Sequence, residues 1–233
     1  MAERKTTVAV AIMAKAPRPG DVKTRLCPPL SPAQAADLGR AFLLDKIAQV
    51  RALRGVTPAI AFTPEGEQAL FERLAPGFTL VPQRGNDLGA RLHGTLDELL
   101  RRGHAAALAI DSDTPTLPAE CLEQAVSVSN ADDVDVVLGP TEDGGYYLVG
   151  VREARRELFE AIPWSTAAVL TTTLARARAA GLRTLCLPSW FDVDTPADLE
   201  RLRAALAAAP DAAAETRRLL AAWHTARHLR DRG

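Results

Sequence analysis

Four short strings hold the residues that could do chemistry. The first is Lys15-Ala16-Pro17-Arg18-Pro19-Gly20-Asp21-Val22-Lys23-Thr24-Arg25-Leu26, with four cations from Lys15 to Arg25. A glycine that permits close backbone approach, beside lysines and arginines that carry charge, suits a polyphosphate. A solvated basic loop accounts for the same composition. The second and third strings, Asp111-Ser112-Asp113-Thr114-Pro115 and Asp192-Val193-Asp194-Thr195-Pro196, repeat one pattern of two aspartates followed by Thr-Pro. Hard Mg²⁺ takes one or two protein carboxylates and leaves the rest of its shell to phosphate and water, so either pair could serve it. Each aspartate could instead cap the turn or helix that follows, although capping does not explain the same string twice. The fourth string, Gly139 to Tyr147, reads as a hairpin turn or as an acceptor pocket. In the second reading Asp143 and Tyr146 hydrogen-bond the acceptor, and Gly144 and Gly145 permit close contact.

The elements that must position these strings alternate. Val8 to Ala14 is continuously apolar and is broken by Pro17, Pro19 and Gly20, the pattern of a parallel strand covered on both faces. Ser31-Pro32 opens a helix that runs to Arg51, with Leu38, Phe42, Leu43, Ile47 and Val50 at helical spacing. Strands are expected at 59–62, 78–81, 105–110, 134–138, 145–151 and 184–187. Helices are expected at 67–74, 88–101, 118–127, 166–180 and 195–209, with a further helix in the Ala- and Arg-rich tail from Asp211. This alternation predicts an α/β fold of three layers, a mostly parallel sheet between helices. Such sheets bind ligands at the C-terminal ends of their strands, where the basic loop and both aspartate pairs lie.

Length and composition fit that architecture. A chain of 233 residues suits one α/β domain, 1–233, with 210–233 as a C-terminal helical extension. Hydrophobic residues at 47% and charged residues at 24% match a folded globular chain. With 28 Lys plus Arg against 29 Asp plus Glu, the net charge of -1 offers no broad positive field for a nucleic-acid backbone. Cys27, Cys121 and Cys186 are too scattered for a disulfide framework or a zinc site, which fits a reducing cytoplasm. The seven residues of Val8 to Ala14 are too few for a membrane span.

Five strings in this order resemble one family: Lys23-Thr24-Arg25-Leu26 after the first strand, Gly85-Asn86-Asp87-Leu88-Gly89-Ala90-Arg91, Asp113-Thr114-Pro115, Asp143-Gly144-Gly145-Tyr146-Tyr147 and Asp192-Val193-Asp194-Thr195-Pro196. The family is DUF2064, bacterial glycosyltransferase-A-like proteins similar to the 2-phospho-L-lactate guanylyltransferases. More distantly, the strings resemble the molybdenum-cofactor guanylyltransferases. The resemblance runs from about Val8 to Leu202. It implies the nucleotide-diphospho-sugar transferase (glycosyltransferase-A) fold, with base and ribose near the first strand and phosphates near Lys23 and Arg25. Nucleotide contacts are then expected from Ala14, Lys15, Pro17, Gly20, Lys23, Arg25, Asp87, Asp111 and Ser112. Asp113 is the implied principal ligand of Mg²⁺ or Mn²⁺ and Asp194 the second, with Asp111 and Asp192 as further candidates. Lys23, Arg25 and Asp113 are the expected catalytic groups, and the acceptor-pocket reading of Asp143, Gly144, Gly145 and Tyr146 takes in Trp164, an aromatic that core packing would equally explain. One string departs from the pattern, because Pro17-Arg18-Pro19-Gly20 stands where nucleotidyltransferases carry Gly-x-Gly-x-Arg.

The expected function is therefore an Mg²⁺-dependent nucleotidyltransferase that joins a nucleoside monophosphate, drawn from a triphosphate, to a small phosphorylated acceptor. The alternative is a glycosyltransferase with a nucleotide-sugar donor, which Asp111-Ser112-Asp113 favours. A phosphatase using an aspartate nucleophile in Asp-x-Asp-x-Thr or Val fits poorly, since Pro115 and Pro196 hold the fifth position. A nucleotide sensor without turnover is a further class. Expected partners are a nucleotide or nucleotide-sugar donor and a small-molecule acceptor, with no nucleic acid, no membrane span and a homodimer as one permitted assembly.

Overall fold

The computed structural model describes residues 7–131 and 133–230, with the side chains of 227–230 excepted. Among the described residues, seven strands form one sheet: β1 (Val8–Lys15), β2 (Val56–Thr63), β3 (Thr79–Pro82), β4 (Ala106–Ile110), β5 (Val136–Pro140), β6 (Tyr146–Val151) and β7 (Thr184–Cys186). Their spatial order is β3-β2-β1-β4-β6-β5-β7. Pairings β1–β2, β1–β4, β2–β3 and β5–β7 are parallel, whereas β6 runs antiparallel to both β4 and β5. The reversal follows from the short turn at 141–145, because a parallel return would need a long crossover.

The helices are α1 (Pro32–Ala52), α2 (Gln68–Leu74), α3 (Leu88–Arg101), α4 (Ala119–Asn130), α5 (Val169–Ala179), α6 (Pro196–Ala208) and α7 (Ala214–Arg230). They cover the sheet on both faces, as period-two alternation requires. Val8, Val10 and Ile12 of β1 pack with Leu43, Ile47, Phe71 and Leu122 from α1, α2 and α4. Ala9 and Ala11 face the other way, onto Leu92, Leu96 and Leu99 of α3 and Ala177 of α5.

Two features of this scaffold place the chemistry. The chain leaves β1 towards β2 and β3, then returns through α3 to β4 on the other side of β1, which opens a crevice at the C-terminal ends of β1 and β4. Ile12 pairs with Ile110, so Asp111, just past the end of β4, is level with Met13, two residues before β1 ends at Lys15. Beyond the sheet edge, a third core of Leu26, Leu38, Phe42, Phe191, Val193, Leu199 and Leu202 clamps the Lys23 loop, α1 and α6 together.

The tail helix is fastened to this cluster by a charge. Asp45 on α1 is 4% exposed and accepts hydrogen bonds from Glu215 N at 2.8 Å, Thr216 N at 3.0 Å and Thr216 Oγ1 at 2.6 Å. A carboxylate at a helix N-terminus satisfies orphan donors and meets the positive end of the helix dipole. Asp45→Ala is expected to cost about 3 kcal/mol, because two N–H groups and a hydroxyl lose their acceptor. A thermal melt would read this as a fall of roughly 6–12 °C. An unchanged melt would mean that apolar contacts alone hold α7.

Candidate active site

The two aspartate strings converge on one lysine. Lys23 Nζ lies 2.7 Å from Asp113 Oδ1 and 2.9 Å from Asp194 Oδ1. Its third partner is the Val193 carbonyl, at 2.9 Å. The strings are also joined through backbone, since Val193 N donates to Asp113 O at 3.0 Å. Leu26 and Val193, both 0% exposed, anchor the chain on either side of this junction. Burial alone would lower the Lys23 pKa, but the charges of Asp113 and Asp194 and their hydrogen bonds outweigh it and raise the value. Arg25 adds a weaker contact from solvent, 3.7 Å from Asp194 Oδ2.

Helix and turn capping fall to other residues, so neither the Asp113 nor the Asp194 side chain serves as a cap. At the second string, Asp198 Oδ2 accepts from Asp194 N at 3.1 Å, from Thr195 N at 2.7 Å and from Thr195 Oγ1 at 2.7 Å, which starts α6. At the first string, Asp111 Oδ1 accepts from Thr114 Oγ1 at 2.7 Å, and the Asp113 carboxylate takes only a longer bond from Ser112 Oγ, 3.4 Å. Beneath it Lys46, 0% exposed, donates to Thr114 O at 2.9 Å and to Thr114 Oγ1 at 3.0 Å. Burial pushes the Asp111 pKa up and the Lys46 pKa down, each opposed by the charge of the other.

A hollow of about 390 Å³ opens above this junction, within the size range of small-ligand sites. Eight of the residues expected at the site line it: Ala14, Lys15, Pro17, Lys23, Asp111, Ser112, Asp113 and Asp194. Gly20 has positive φ, +84°, with open space around it, and Lys15 Nζ donates to Asp21 O at 2.9 Å to close the loop. Asp87 caps α3 by accepting from Ala90 N at 2.7 Å and lies outside the lining. Asp192 also lies outside it, and its pKa is raised to about 6 by burial and by the charges of Asp194 and Asp143.

The turn expected on the acceptor side is held by its own contacts. Asp143 Oδ1 accepts from Thr141 Oγ1 at 2.6 Å and from Gly145 N at 3.1 Å. Gly144 has φ +92°, and a Cβ there would meet Ala167 O at 2.3 Å, so packing against the start of α5 requires the glycine. Tyr146 packs edge-on against Trp164 with centroids 6.2 Å apart, and its hydroxyl is buried beside Thr173. Trp164 in turn covers Gly89, where an added Cβ would lie 2.9 Å from the indole Nε1. None of these five lines the hollow.

Sequence reasoning missed several lining residues, notably Thr63, Gln83, Leu88 and Arg91. Gln83 Nε2 donates to Ala61 O at 2.7 Å and Ala14 O at 3.3 Å, which ties the ends of β1 and β2. Leu88 is the one large hydrophobic side chain exposed among the described residues, at 45%, and it sits on the rim. An exposed leucine in the first turn of a helix, three residues before an arginine, is the signal that could have found them.

As for a metal, no three His, Cys, Asp or Glu side chains gather into a preformed cage among the described residues. The donor set still suits a hard cation: two carboxylates from separate elements already share one cationic centre, the Lys23 ammonium. A larger hollow of about 650 Å³ lies between α6, α7 and the start of α1, and its lining includes Leu199, Leu220 and Trp223 but no aspartate.

Comparison with known proteins agrees with this architecture. The model of DUF2064, described as uncharacterized proteins conserved in bacteria, matches residues 46–166. A crystal structure of a proposed nucleotide-diphospho-sugar transferase from Desulfovibrio desulfuricans G20 is 32% identical, covers 84% of this chain and 85% of that one, and superposes with a TM-score of 0.77. The inositol-1-phosphate CTP transferase of T. maritima has a TM-score of 0.57 at 14% identity, covering 88% of this chain and 97% of its own. Glucosyl-3-phosphoglycerate synthase from Mycobacterium tuberculosis, solved with Mn²⁺, UDP and glucosyl-3-phosphoglycerate, has a TM-score of 0.51 at 14% identity, covering 93% and 78%. At such identities the last two speak for the fold alone. No curated protein matches the chain. By its sequence and by its fold, the chain belongs to the DUF2064 family and has the architecture of the nucleotide-diphospho-sugar transferases.

Proposed function

We propose that this protein is a nucleotidyltransferase that passes a nucleoside monophosphate from a triphosphate to a small phosphorylated acceptor. The observation that carries the reading is the junction of Lys23 with Asp113 and Asp194 at the floor of a hollow whose walls add Lys15 and Arg91. Cations at the end of β1 and carboxylates at the end of β4 suit a metal-chelated triphosphate better than any uncharged ligand. In the proposed reaction an acceptor phosphate oxygen forms a bond to the α-phosphorus. The bond from that phosphorus to its bridging oxygen breaks, and pyrophosphate leaves with the electron pair.

This chain's own part is positioning and charge neutralisation. Lys23 and Arg25 face the charge that builds on the departing pyrophosphate, and Lys15 holds the loop closed over it. Met13 and Leu88 offer the apolar surface against which a base would lie. Held by Asp113 and Asp194, Mg²⁺ or Mn²⁺ would supply further neutralisation of the phosphate oxygens. The acceptor is proposed to enter on the side of the Asp143 turn, which lies outside the lining of the hollow itself.

Glycosyl transfer remains the second reading, favoured by the Asp111-Ser112-Asp113 string and by the UDP and Mn²⁺ bound to one structural neighbour. Incubation with each nucleoside triphosphate and a panel of small phosphorylated acids, monitored for pyrophosphate, separates the two. Pyrophosphate release that requires both substrates is expected. Consumption of sugar nucleotides alone would replace the first reading with the second.

A further inference from the structure

Asp113 and Asp194 do not stand open to the hollow as bare carboxylates. An ammonium donates three protons, and the Lys23 ammonium meets three oxygens: Asp113 Oδ1, Asp194 Oδ1 and the Val193 carbonyl. Behind it the Phe42 ring centroid lies 5.5 Å from Nζ, within cation–π range. The lysine side chain is 5% exposed, whereas the carboxylates are 39% and 34% exposed. The cation is thus the buried partner, and the carboxylates are reached from the hollow. Lys23 itself has φ 51° and ψ 33°, a left-handed conformation that is strained for a residue with a Cβ. The backbone accepts that strain at the residue that delivers the ammonium.

We propose that Lys23 is the resident cation of this carboxylate pair, and that it yields Asp113 and Asp194 to a divalent ion only when phosphate oxygens draw the ammonium away. The inference rests on the reading that the hollow receives a nucleotide. Two cations cannot occupy one point between the same oxygens without strong repulsion. If a divalent ion arrived alone, the ammonium would lose both charged partners while keeping its buried position, which is unfavourable. When a triphosphate enters, Lys23 exchanges carboxylate partners for phosphate partners and that penalty is offset. Metal and nucleotide are then taken up together, and the resting protein keeps its charges paired without a metal.

The test is a titration of Mn²⁺ into the full chain without nucleotide, with the free ion followed by electron paramagnetic resonance. Wild type is expected to bind weakly. Lys23→Met and Lys23→Gln, which keep most of the side-chain stem, are expected to bind at least about tenfold more tightly, or about 1.4 kcal/mol. Adding Asp113→Asn to Lys23→Met is expected to abolish the gain, which locates the ion on this pair. Melting curves confirm that each variant is folded, and the two substitutions at position 23 guard against one of them failing. Equal affinity in wild type and both Lys23 variants, or no Mn²⁺ binding by any of them, would overturn the proposal. Failure of the nucleotide reading looks different: the Lys23 gain would persist, while no nucleoside triphosphate would raise the melting temperature of wild type.

Discussion

Asp113→Ala is expected to lower turnover by about 10²–10³-fold, the scale seen when one preorganised electrostatic group is removed from an active site. The fold should survive the change. Asp113 is 39% exposed at the tip of β4, and its structural bond to Val193 N is made by its backbone carbonyl, which alanine retains. Lys23 also keeps Asp194 and the Val193 carbonyl as partners. The stability cost should therefore be about 1–3 kcal/mol, since the buried ammonium loses one charged acceptor and keeps the other. Asp194→Ala is expected to behave alike. Because the two carboxylates serve one cationic centre, the double variant should be hardly worse than either single one. Steady-state kinetics beside a melting curve would check this, and unchanged turnover in Asp113→Ala would remove that residue from the site.

Lys46→Met should instead act on stability, with a loss of about 3–5 kcal/mol, the cost of stripping one partner from a buried charge pair. Lys46 is wholly buried and donates twice to Thr114, which in turn donates to Asp111. Without it, Asp111, half-buried at the tip of β4, loses the largest charge that offsets its desolvation. For a chain of this size the melting temperature should fall by roughly 6–20 °C. Lys46→Met combined with Asp111→Asn is expected to recover most of the loss, since removing both charges leaves neither stranded. If the double variant melts no higher than the single one, Lys46 supports the Thr114 turn alone and Asp111 gains nothing from it.

Much of the scaffold was legible without coordinates. The helix expected over 88–101 is α3, Leu88–Arg101, because Leu92, Leu96, Leu99 and Leu100 repeat at helical spacing. Ser31-Pro32 does open α1, and Gln34 completes a reciprocal cap that pattern reading had not used. The hairpin reading of 139–147 already implied that β6 runs antiparallel to β5, whereas the insertion of β6 between β4 and β5 was not legible, because an apolar strand carries no mark of its neighbour. Lys46 was passed over for a different reason. A charged residue in an amphipathic helix is read as solvent-facing, and only a buried acceptor such as Thr114, with the Asp111 carboxylate behind it, overturns that rule. The glycines of the Asp143 turn, read as making room for a ligand, are required by the backbone of Ala167 and by the turn itself.

What the amino-acid sequence determined by itself was local: which segments are strands and helices, and which strand ends carry cations and carboxylates. Apolar periodicity, proline and glycine act over a few residues, so one chain suffices to read them. The meeting of Lys23 with Asp194, 171 residues apart, was decided by tertiary structure alone. Sheet order puts β1 beside β4, and the buried cluster of Leu26, Phe42 and Val193 folds the loop onto the distant aspartate. Long-range packing of that kind depends on the whole core at once, and no local pattern encodes which cation will lie between which acids.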